Sequence, residues 1–213
     1  MRLRRKLLEK SRLYLILDKD VFKRSVLDTA RKLAKSGVDM IQLRDKSSFP
    51  EVLLEEAILL NQELKNTPTL FIVNDNPDIA KLSGSDGLHI GQKDIPIQEA
   101  RRLLGRNKII GVSCSNLKQA LKAQKEGADY IGIGPIFKTK TKRDCQPIGL
   151  KGLSGLSQRI KIPVFAIGNI NRINLKKIVA SGINRIALCR AILSSKDSFR
   201  SASFFATKLK EIK

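Results

Sequence analysis

Short apolar runs alternate with longer amphipathic stretches along almost the whole chain. In Pro50–Lys65, an amphipathic example, apolar side chains recur at the spacing of one helical face, and polar residues fill the positions between them. The apolar runs are rich in Ile, Leu and Val, a composition typical of buried strands. Eight such runs predict strands at Leu13–Leu17, Met40–Leu43, Leu70–Val73, Gly87–Ile90, Ile109–Val112, Tyr130–Ile133, Val164–Ile167 and Arg185–Leu188.

One local phrase recurs where a helix-like stretch gives way to a strand-like run. SGVDMIQL, SGSDGLHI, EGADYIGI and SGINRIAL begin at residues 36, 83, 126 and 181. Each phrase has Gly, then Asp or Asn two residues later, then an apolar segment. Gly is favoured in the left-handed turn that ends a helix, so each phrase marks a helix-to-strand joint. Strands that alternate with helices predict a parallel sheet.

Eight parallel strands indicate an α/β protein that closes into a single-domain (β/α)8 TIM barrel over residues 1–213. This length lies near the short end for the fold, which typically takes about 250 residues and can be built from about 200. Residues 1–12 are predicted to be a basic N-terminal extension. The alternative is an open, doubly wound sheet, but no GxGxxG follows the first strand to favour it.

The net charge is unusual, because 41 basic and 20 acidic residues give a formal +21. A charge of this size raises a nucleic-acid or membrane-surface hypothesis. The basic residues are spread over nearly every predicted helix, so we expect a solvated basic surface without a specific nucleic-acid site. Any binding to DNA or RNA should be weak and sensitive to salt. A barrel that binds polyanions without catalysis remains the alternative.

The cysteines and the apolar runs bear on the compartment. Cys114, Cys145 and Cys189 form neither a CxxC motif nor an even-numbered disulfide framework, which favours a reducing compartment. No apolar run reaches the roughly 18 residues of a membrane span, so no membrane partner is predicted. The basic start lacks the apolar stretch and cleavage site of a signal peptide. We therefore expect a cytoplasmic protein, and leave open whether it forms a homo-oligomer.

Polar residues follow the predicted strands at their C-terminal ends, where this fold places its active site. Asp75 and Asp94 follow neighbouring strands, so their carboxylates are expected to converge on one divalent metal. Carboxylates together with substrate phosphates are the usual ligands of Mg²⁺. Alternatively, Asp75 caps the helix that begins at Pro77, and Asp94 caps the helix after Pro96.

Basic residues and a glycine at the same end suit phosphorylated ligands. Arg44 and Lys46 follow the second predicted strand and Lys142 follows the sixth, and their charges suit a pyrophosphate. Gly168 lies in the turn after the seventh strand, where backbone N–H groups commonly hold a phosphate in this fold. We therefore expect two anion sites around the mouth of the barrel.

His89 is the only histidine and invites a catalytic role. It lies inside the fourth predicted strand between two apolar residues, so we interpret it as a buried, hydrogen-bonded residue rather than a general base. Cys114 follows Ser113, but the sequence offers no second histidine that would support a Cys–His nucleophile.

Taken together, six segments make the chain resemble the thiamine-phosphate synthase family over essentially its whole length. They are IQLRDK at Ile41–Lys46, IVND at Ile72–Asp75, GLHIGQKD at Gly87–Asp94, IGVSCSN at Ile110–Asn116, GADYIGIGPIFKTKTK at Gly127–Lys142 and IPVFAIGNI at Ile162–Ile170. The resemblance implies Mg²⁺-dependent joining of 4-amino-2-methyl-5-hydroxymethylpyrimidine pyrophosphate to hydroxyethylthiazole phosphate, with release of pyrophosphate. The nearest alternative is a thiazole tautomerase-like isomerase on the same barrel, but such relatives generally lack the pair found at Asn74-Asp75.

The resemblance also implies a role for each matched residue. Asp75 and Asp94 would be the metal ligands. The contacts to the pyrimidine pyrophosphate would be Gln42, Arg44, Lys46, Asn74, Ser113 and Lys142. Four of these would be catalytic, namely Arg44, Lys46, Ser113 and Lys142. The contacts to the thiazole phosphate would be Thr139, Thr141, Gly168, Cys189 and Arg190.

Three departures from the family pattern qualify this transfer. Asn169 stands where the family usually has a second Gly, and Cys189-Arg190 stands where it usually has an aliphatic residue and Ser. Cys114-Ser115 replaces the more usual Thr or Ala followed by His. The first two departures fall in the thiazole-phosphate site. Arg190 either adds a contact to that phosphate or obstructs it.

Overall fold

Eight parallel strands form a closed barrel in the computed structural model of the chain, which describes residues 2–22, 25–139 and 146–212. The strands follow one another around the barrel in chain order, and the last pairs with the first. They are β1 (Leu13–Asp18), β2 (Met40–Arg44), β3 (Leu70–Asn74), β4 (Gly87–Ile90), β5 (Ile109–Cys114), β6 (Tyr130–Ile133), β7 (Val164–Ile167) and β8 (Ile186–Leu188). Closure confirms the predicted (β/α)8 barrel and excludes the open sheet.

The helices lie before, between and after the strands. They are α1 (Arg2–Lys10), α2 (Val26–Lys35), α3 (Pro50–Leu64), α4 (Pro77–Leu82), α5 (Ile97–Leu104), α6 (Leu117–Lys125), α7 (Gly149–Ser154), α8 (Leu156–Arg159), α9 (Leu175–Ala180), α10 (Arg190–Leu193) and α11 (Ser198–Lys210). Among the residues described, no helix combines the length and the apolar character that a membrane crossing requires.

Several strands continue beyond their predicted C-terminal ends into polar residues. Asp18 pairs in register with Arg44 at the ends of β1 and β2, and β3 continues to Asn74. At the other end of the sheet, β8 begins at Ile186, one residue later than predicted. The strand extensions matter for the site, because they place polar side chains on the rigid ladder rather than on loops.

Strand side chains alternate between two buried faces, as the two-residue period of a strand requires. The outward set, which includes Leu15, Leu43 and Ile131, packs against the helices. The inward set fills the barrel and consists of Tyr14, Ile16, Met40, Leu70, Ile72, Ile109, Tyr130, Phe165 and Ala187. The barrel interior is therefore a packed core toward the N-terminal ends of the strands. Polar inward-facing residues are concentrated near the C-terminal ends.

The basic N-terminal residues form α1, which packs across the N-terminal end of the barrel. Leu8 is 3% exposed and belongs to the inward cluster. Arg4 Nε lies 2.5 Å from an oxygen of Asp86, and Arg5 Nη2 lies 3.4 Å from an oxygen of Asp129. These two aspartates belong to the recurring helix-to-strand phrases. Part of the unusual positive charge therefore forms ion pairs that attach α1 to the barrel.

The recurring phrases also connect consecutive strands. Oδ2 of Asp39 accepts hydrogen bonds from the N–H groups of Arg12 and Leu13 at the start of β1. Asp86 and Asp129 accept the corresponding bonds from β3 and β5. The glycine of every phrase has a positive φ, as predicted: Gly37, Gly84, Gly127 and Gly182.

The placement of α1 predicts a large stability difference between two leucines of the same helix. Leu8→Ala should lower the free energy of unfolding by about 2–5 kcal/mol, because it leaves a cavity at the floor of the barrel. Leu3 is 72% exposed, so Leu3→Ala should change it by less than about 0.5 kcal/mol. Urea unfolding followed by far-ultraviolet circular dichroism measures both values. Equal effects would contradict the packing of α1 against the barrel.

Candidate functional site

The C-terminal end of the barrel presents polar side chains on consecutive strands. They continue the inward face of each strand by its two-residue period, for example from Ile16 to Asp18 and from Ile72 to Asn74. The predicted site residues on this inward face are Gln42, Arg44, Asn74, Ser113 and Cys189. The structure therefore brings these five to one end of the barrel, where the fold places active sites.

Asp75 and Asp94 form a carboxylate pair at this end. Asp75 directly follows β3 with a φ of 61°, and its N–H donates to the His89 carbonyl oxygen at 2.8 Å. Oδ2 of Asp94 accepts a hydrogen bond from the Gly91 N–H at 2.6 Å. The two carboxyl groups are close enough to interact electrostatically. Partial burial raises the pKa of Asp94, and the neighbouring Asp75 carboxylate raises it further.

Neither aspartate caps a helix, so the alternative explanation of their positions is wrong. The N-cap of α4 is Asn76, whose side chain accepts a hydrogen bond from the Ile79 N–H at 3.0 Å. The N-cap of α5 is Pro96, which has no side-chain capping bond. Both carboxylates are therefore available to a ligand at the mouth.

The carboxylate pair can hold a hard divalent cation only with help from other ligands. Within the described ranges, no group of three or more His, Cys, Asp or Glu side chains could hold a metal. Two carboxylates completed by water and phosphate oxygens are a common arrangement for such cations. The donor set therefore fits a metal that is shared between the protein and a phosphorylated ligand.

Two cations, one at the end of β2 and one just after it, are each held by a carboxylate. Nη1 of Arg44 donates to Oδ2 of Asp18 at 2.7 Å and lies 3.7 Å from Oδ2 of Asp20. Nζ of Lys46 lies 3.1 Å from Oδ2 of Asp75. A guanidinium has five N–H donors, so Arg44 keeps others for an anion. Sequence reasoning missed Asp18, and the signal was an acidic residue directly after the apolar run of β1.

A buried aspartate fixes the segment that carries both cations. Asp45 accepts hydrogen bonds from the N–H groups of Ser47 and Ser48 at 2.8 and 3.0 Å. Nζ of Lys19 lies 3.1 Å from Asp45 Oδ2 and 3.0 Å from Glu56 Oε2. Although burial raises the pKa of Asp45, these hydrogen bonds and the Lys19 ion pair bring it well below its ordinary value. Asp45 therefore remains charged and anchors the segment.

The turn after β7 is tightly packed against the loop after β6. Gly168 has a φ of 112°, and a Cβ there would lie 2.6 Å from the Cα of Pro135, so the position requires glycine. Asn169 has a φ of 51°, a left-handed conformation that Asn adopts more readily than most residues. This conformation explains why Asn can replace the family's second Gly. Its side chain donates to the Lys138 carbonyl oxygen at 3.0 Å, beside Thr139.

The structure describes only some of the remaining residues that were expected in the site. Thr141 and Lys142 lie outside the described residues. Cys189 is half-buried, and burial raises its thiol pKa to about 12, so it remains a neutral thiol. Arg190 is exposed at the first position of α10.

A continuous set of hydrogen bonds crosses the barrel interior beneath the mouth. Nε2 of Gln42 contacts Oη of Tyr14, which lies 2.8 Å from Oη of Tyr130. Oη of Tyr130 lies 3.0 Å from Nδ1 of His89, and Nε2 of His89 lies 2.9 Å from Oγ of Ser113. We call these five residues the tyrosine relay. His89 is 7% exposed, which confirms its interpretation as a buried, hydrogen-bonded residue.

Aromatic packing holds the relay in place. The rings of Tyr14, Tyr130 and Phe165 contact one another edge to face, with centroids 5.5–5.7 Å apart. A methyl group at Gly111 would overlap the ring of Tyr130, so this glycine makes room for it. Sequence reasoning placed both tyrosines in predicted strands and gave neither of them a role. The missed signal was that a buried phenol needs a hydrogen-bond partner.

The relay predicts how the protein responds to alkali. Burial raises the pKa of Tyr14 and Tyr130, and the chain has no other tyrosine. Near-ultraviolet absorbance should therefore show no phenolate in the folded protein at about pH 10, where exposed tyrosines titrate. Because the unfolded state ionises first, the free energy of unfolding should fall as the pH rises above about 10. One phenolate per folded chain near that pH would contradict the burial of the relay.

Comparisons with known proteins agree over most of the chain. The family model for thiamine monophosphate synthase matches residues 13–192. A thiamine-phosphate synthase from Syntrophomonas wolfei is 43% identical over 187 residues, which cover 87% of this chain and 90% of that protein. One from Prochlorococcus marinus is 41% identical over 191 residues, which cover 90% of this chain but 54% of that longer protein. The structure of a thiamine phosphate pyrophosphorylase from Pyrococcus furiosus superposes with a TM-score of 0.88 at 33% identity, covering 98% of both chains. The chain belongs to the thiamine monophosphate synthase family.

Proposed function

We propose that this protein is a thiamine-phosphate synthase. It joins 4-amino-2-methyl-5-hydroxymethylpyrimidine pyrophosphate to hydroxyethylthiazole phosphate and releases pyrophosphate. The observation that carries this proposal is the carboxylate pair of Asp75 and Asp94, with Lys46 against Asp75 and Arg44 at the end of the neighbouring strand β2. Paired carboxylates and two cations suit a pyrophosphate that binds together with a metal.

Mg²⁺ is the metal that this arrangement fits best. Asp75 and Asp94 would hold it, and pyrophosphate oxygens and water would supply the other ligands. The mutual repulsion of the two carboxylates contributes to the raised pKa of Asp94, and a cation held by both would offset that repulsion. When bound, the metal stabilises negative charge on the leaving pyrophosphate.

The charged residues at the mouth assist departure of pyrophosphate. The lone pair of the thiazole nitrogen forms a C–N bond to the pyrimidine methylene while the C–O bond to pyrophosphate breaks. The electron pair of that bond leaves with the pyrophosphate, and Arg44, Lys46 and Lys142 stabilise the growing negative charge. The attacking nitrogen carries no proton, so no general base is needed. His89 fits this view, because both of its ring nitrogens contact other side chains.

The other site residues bind and orient the two substrates. Gln42, Asn74 and Ser113 contact the pyrimidine pyrophosphate. The thiazole phosphate is bound by the loops after β6, β7 and β8, through Thr139, Thr141, Gly168, Cys189 and Arg190. The pair at Asn74-Asp75, with Asp94 opposite, favours the synthase over a tautomerase-like isomerase.

One assay tests the function directly. Purified protein is incubated with the two substrates and Mg²⁺, and thiamine phosphate is measured. Product that depends on both substrates supports the proposal. No product under these conditions, from protein with native circular dichroism, would overturn it.

The metal assignment predicts a large effect of Asp75. Asp75→Ala should lower kcat/KM by about 100-fold or more, because a metal supplies several kcal/mol of charge stabilisation. It should also remove the Mg²⁺ dependence of pyrimidine-pyrophosphate binding. Asp75→Asn keeps a residue type that tolerates the φ of 61° and should behave alike. Asp78→Ala, at an exposed position of α4, is the control. An unchanged rate and metal titration in both Asp75 variants would refute the assignment.

Arg190 yields a prediction for the thiazole-phosphate site. A charge-assisted bond to the phosphate contributes about 1.5–3 kcal/mol. Arg190→Ser should therefore raise the KM for thiazole phosphate roughly tenfold or more and leave the KM for the pyrimidine substrate unchanged. Lys196→Ser, at another exposed position, is the control. An unchanged KM would show that Arg190 points away from the phosphate, and a lower one that it obstructs the site.

A further inference from the structure

The tyrosine relay connects two of the residues expected to touch the pyrimidine substrate. Gln42 forms one end of it and Ser113 the other, and both lie on the inward face of the barrel near the mouth. The three residues between them are Tyr14, Tyr130 and His89, which are all buried. The two ends are therefore linked by buried groups that form hydrogen bonds with one another rather than with water.

Counting hydrogens along the relay fixes its direction once one end is known. Gln42 donates from Nε2 to Tyr14, and among the described residues Tyr130 is the one other hydrogen-bond partner of the Tyr14 hydroxyl, so that hydroxyl donates its hydrogen to Tyr130. The hydroxyl hydrogen of Tyr130 then goes to Nδ1 of His89, which must be bare. A neutral imidazole with bare Nδ1 carries its hydrogen on Nε2 and donates it to Oγ of Ser113.

We propose that the relay has this single direction, and that it presents the Gln42 carbonyl oxygen as an acceptor and the Ser113 hydroxyl as a donor to the pyrimidine substrate. Tyr14, Tyr130 and His89 are thus positioning residues that set specificity. The inference rests on the proposed function, because it is the substrate that makes Gln42 and Ser113 contact residues.

The direction of the relay has a consequence for substrate choice. The 4-amino group is the only N–H donor of the pyrimidine pyrophosphate, so it is the group that a carbonyl acceptor on Gln42 recognises. A 4-oxo analogue would set a carbonyl oxygen against the Gln42 carbonyl oxygen. Turning the Gln42 amide to accommodate it would require the hydrogen of every relay member to move to its other neighbour. The wild-type protein should therefore reject the 4-oxo analogue.

The tautomer of His89 provides a direct test that needs only the wild-type protein. His89 is the sole histidine, so ¹⁵N-histidine labelling gives the signals of one ring. The expected result is hydrogen on Nε2 and a bare Nδ1, seen through the ¹⁵N shifts and long-range couplings. Hydrogen on Nδ1, or an averaged signal from two tautomers, would overturn the proposal.

Two variants separate the hydrogen bonds from the packing. Tyr130→Phe removes the donor to Nδ1 and should convert the single tautomer into an exchanging mixture. Phe205→Leu is the matched control, because Phe205 is also fully buried but lies in α11, in the cluster outside the barrel interior. Its tautomer should match the wild type. A Tyr130→Phe protein that keeps the wild-type tautomer would overturn the role of Tyr130.

Substrate discrimination supplies the functional readout. The ratio of kcat/KM for the 4-amino and 4-oxo pyrimidine pyrophosphates should be about 100-fold or more in the wild type, because the analogue leaves a polar group unpaired. Tyr14→Phe frees the Gln42 amide to turn, so the ratio should fall about tenfold, while the KM for thiazole phosphate stays unchanged. Phe205→Leu should keep the wild-type ratio. An unchanged ratio in Tyr14→Phe would overturn the proposal.

Two further variants distinguish failure of this inference from failure of the site assignment. Gln42→Ala and Ser113→Ala should each raise the KM for the pyrimidine substrate. If neither does, the assignment of these residues to the substrate is wrong, whatever the tautomer of His89. If both do, while Tyr14→Phe leaves discrimination unchanged, the contacts stand and the directional relay is wrong.

Discussion

Every strand of this barrel is buried on both faces, and the two-residue period of the strand decides which side chain faces which side. A shift of one residue in any strand would exchange its inward and outward sets. The constraint is the same at both ends of the strand. It sends Ile16 and Ile72 into the packed interior, and two residues later it sends Asp18 and Asn74 to the mouth. The packing of the core therefore fixes the positions of the site residues that follow it on the same strands.

The interior of the barrel is also where polar groups are most costly. Two phenols, an amide and an imidazole are removed from water there. Each of them would destabilise the folded protein if it had no hydrogen-bond partner. They satisfy one another, and Phe165 and the space left at Gly111 keep the rings aligned. A network of this kind is stabilising only when every member is satisfied, which makes its arrangement specific.

The sequence predicts this fold well because the signals are local. The eight apolar runs and the glycines of the recurring phrases mark strands and joints without reference to distant residues, and the neighbouring carboxylates at Asp75 and Asp94 follow from strand order alone. Contacts across the barrel are a different matter. Tyr14 and Tyr130 are 116 residues apart, and nothing local shows that their hydroxyl groups meet. The alternative that Asp75 caps α4 was wrong by one position, because Asp75 and Asn76 are both good caps and only the backbone path selects between them.

The floor that α1 provides also bears on the electrostatics of the mouth. Leu8 seals the N-terminal end of the barrel beneath the relay, while the opposite end opens toward solvent. The barrel is then closed at its N-terminal end and open at the other. The local dielectric constant near the relay therefore depends on whether water or a ligand occupies the open end. A substrate seated there would displace water from above Gln42 and Ser113, so each hydrogen bond below it would strengthen as the effective dielectric constant falls. Ligand binding would thus strengthen the same hydrogen bonds that recognise the ligand.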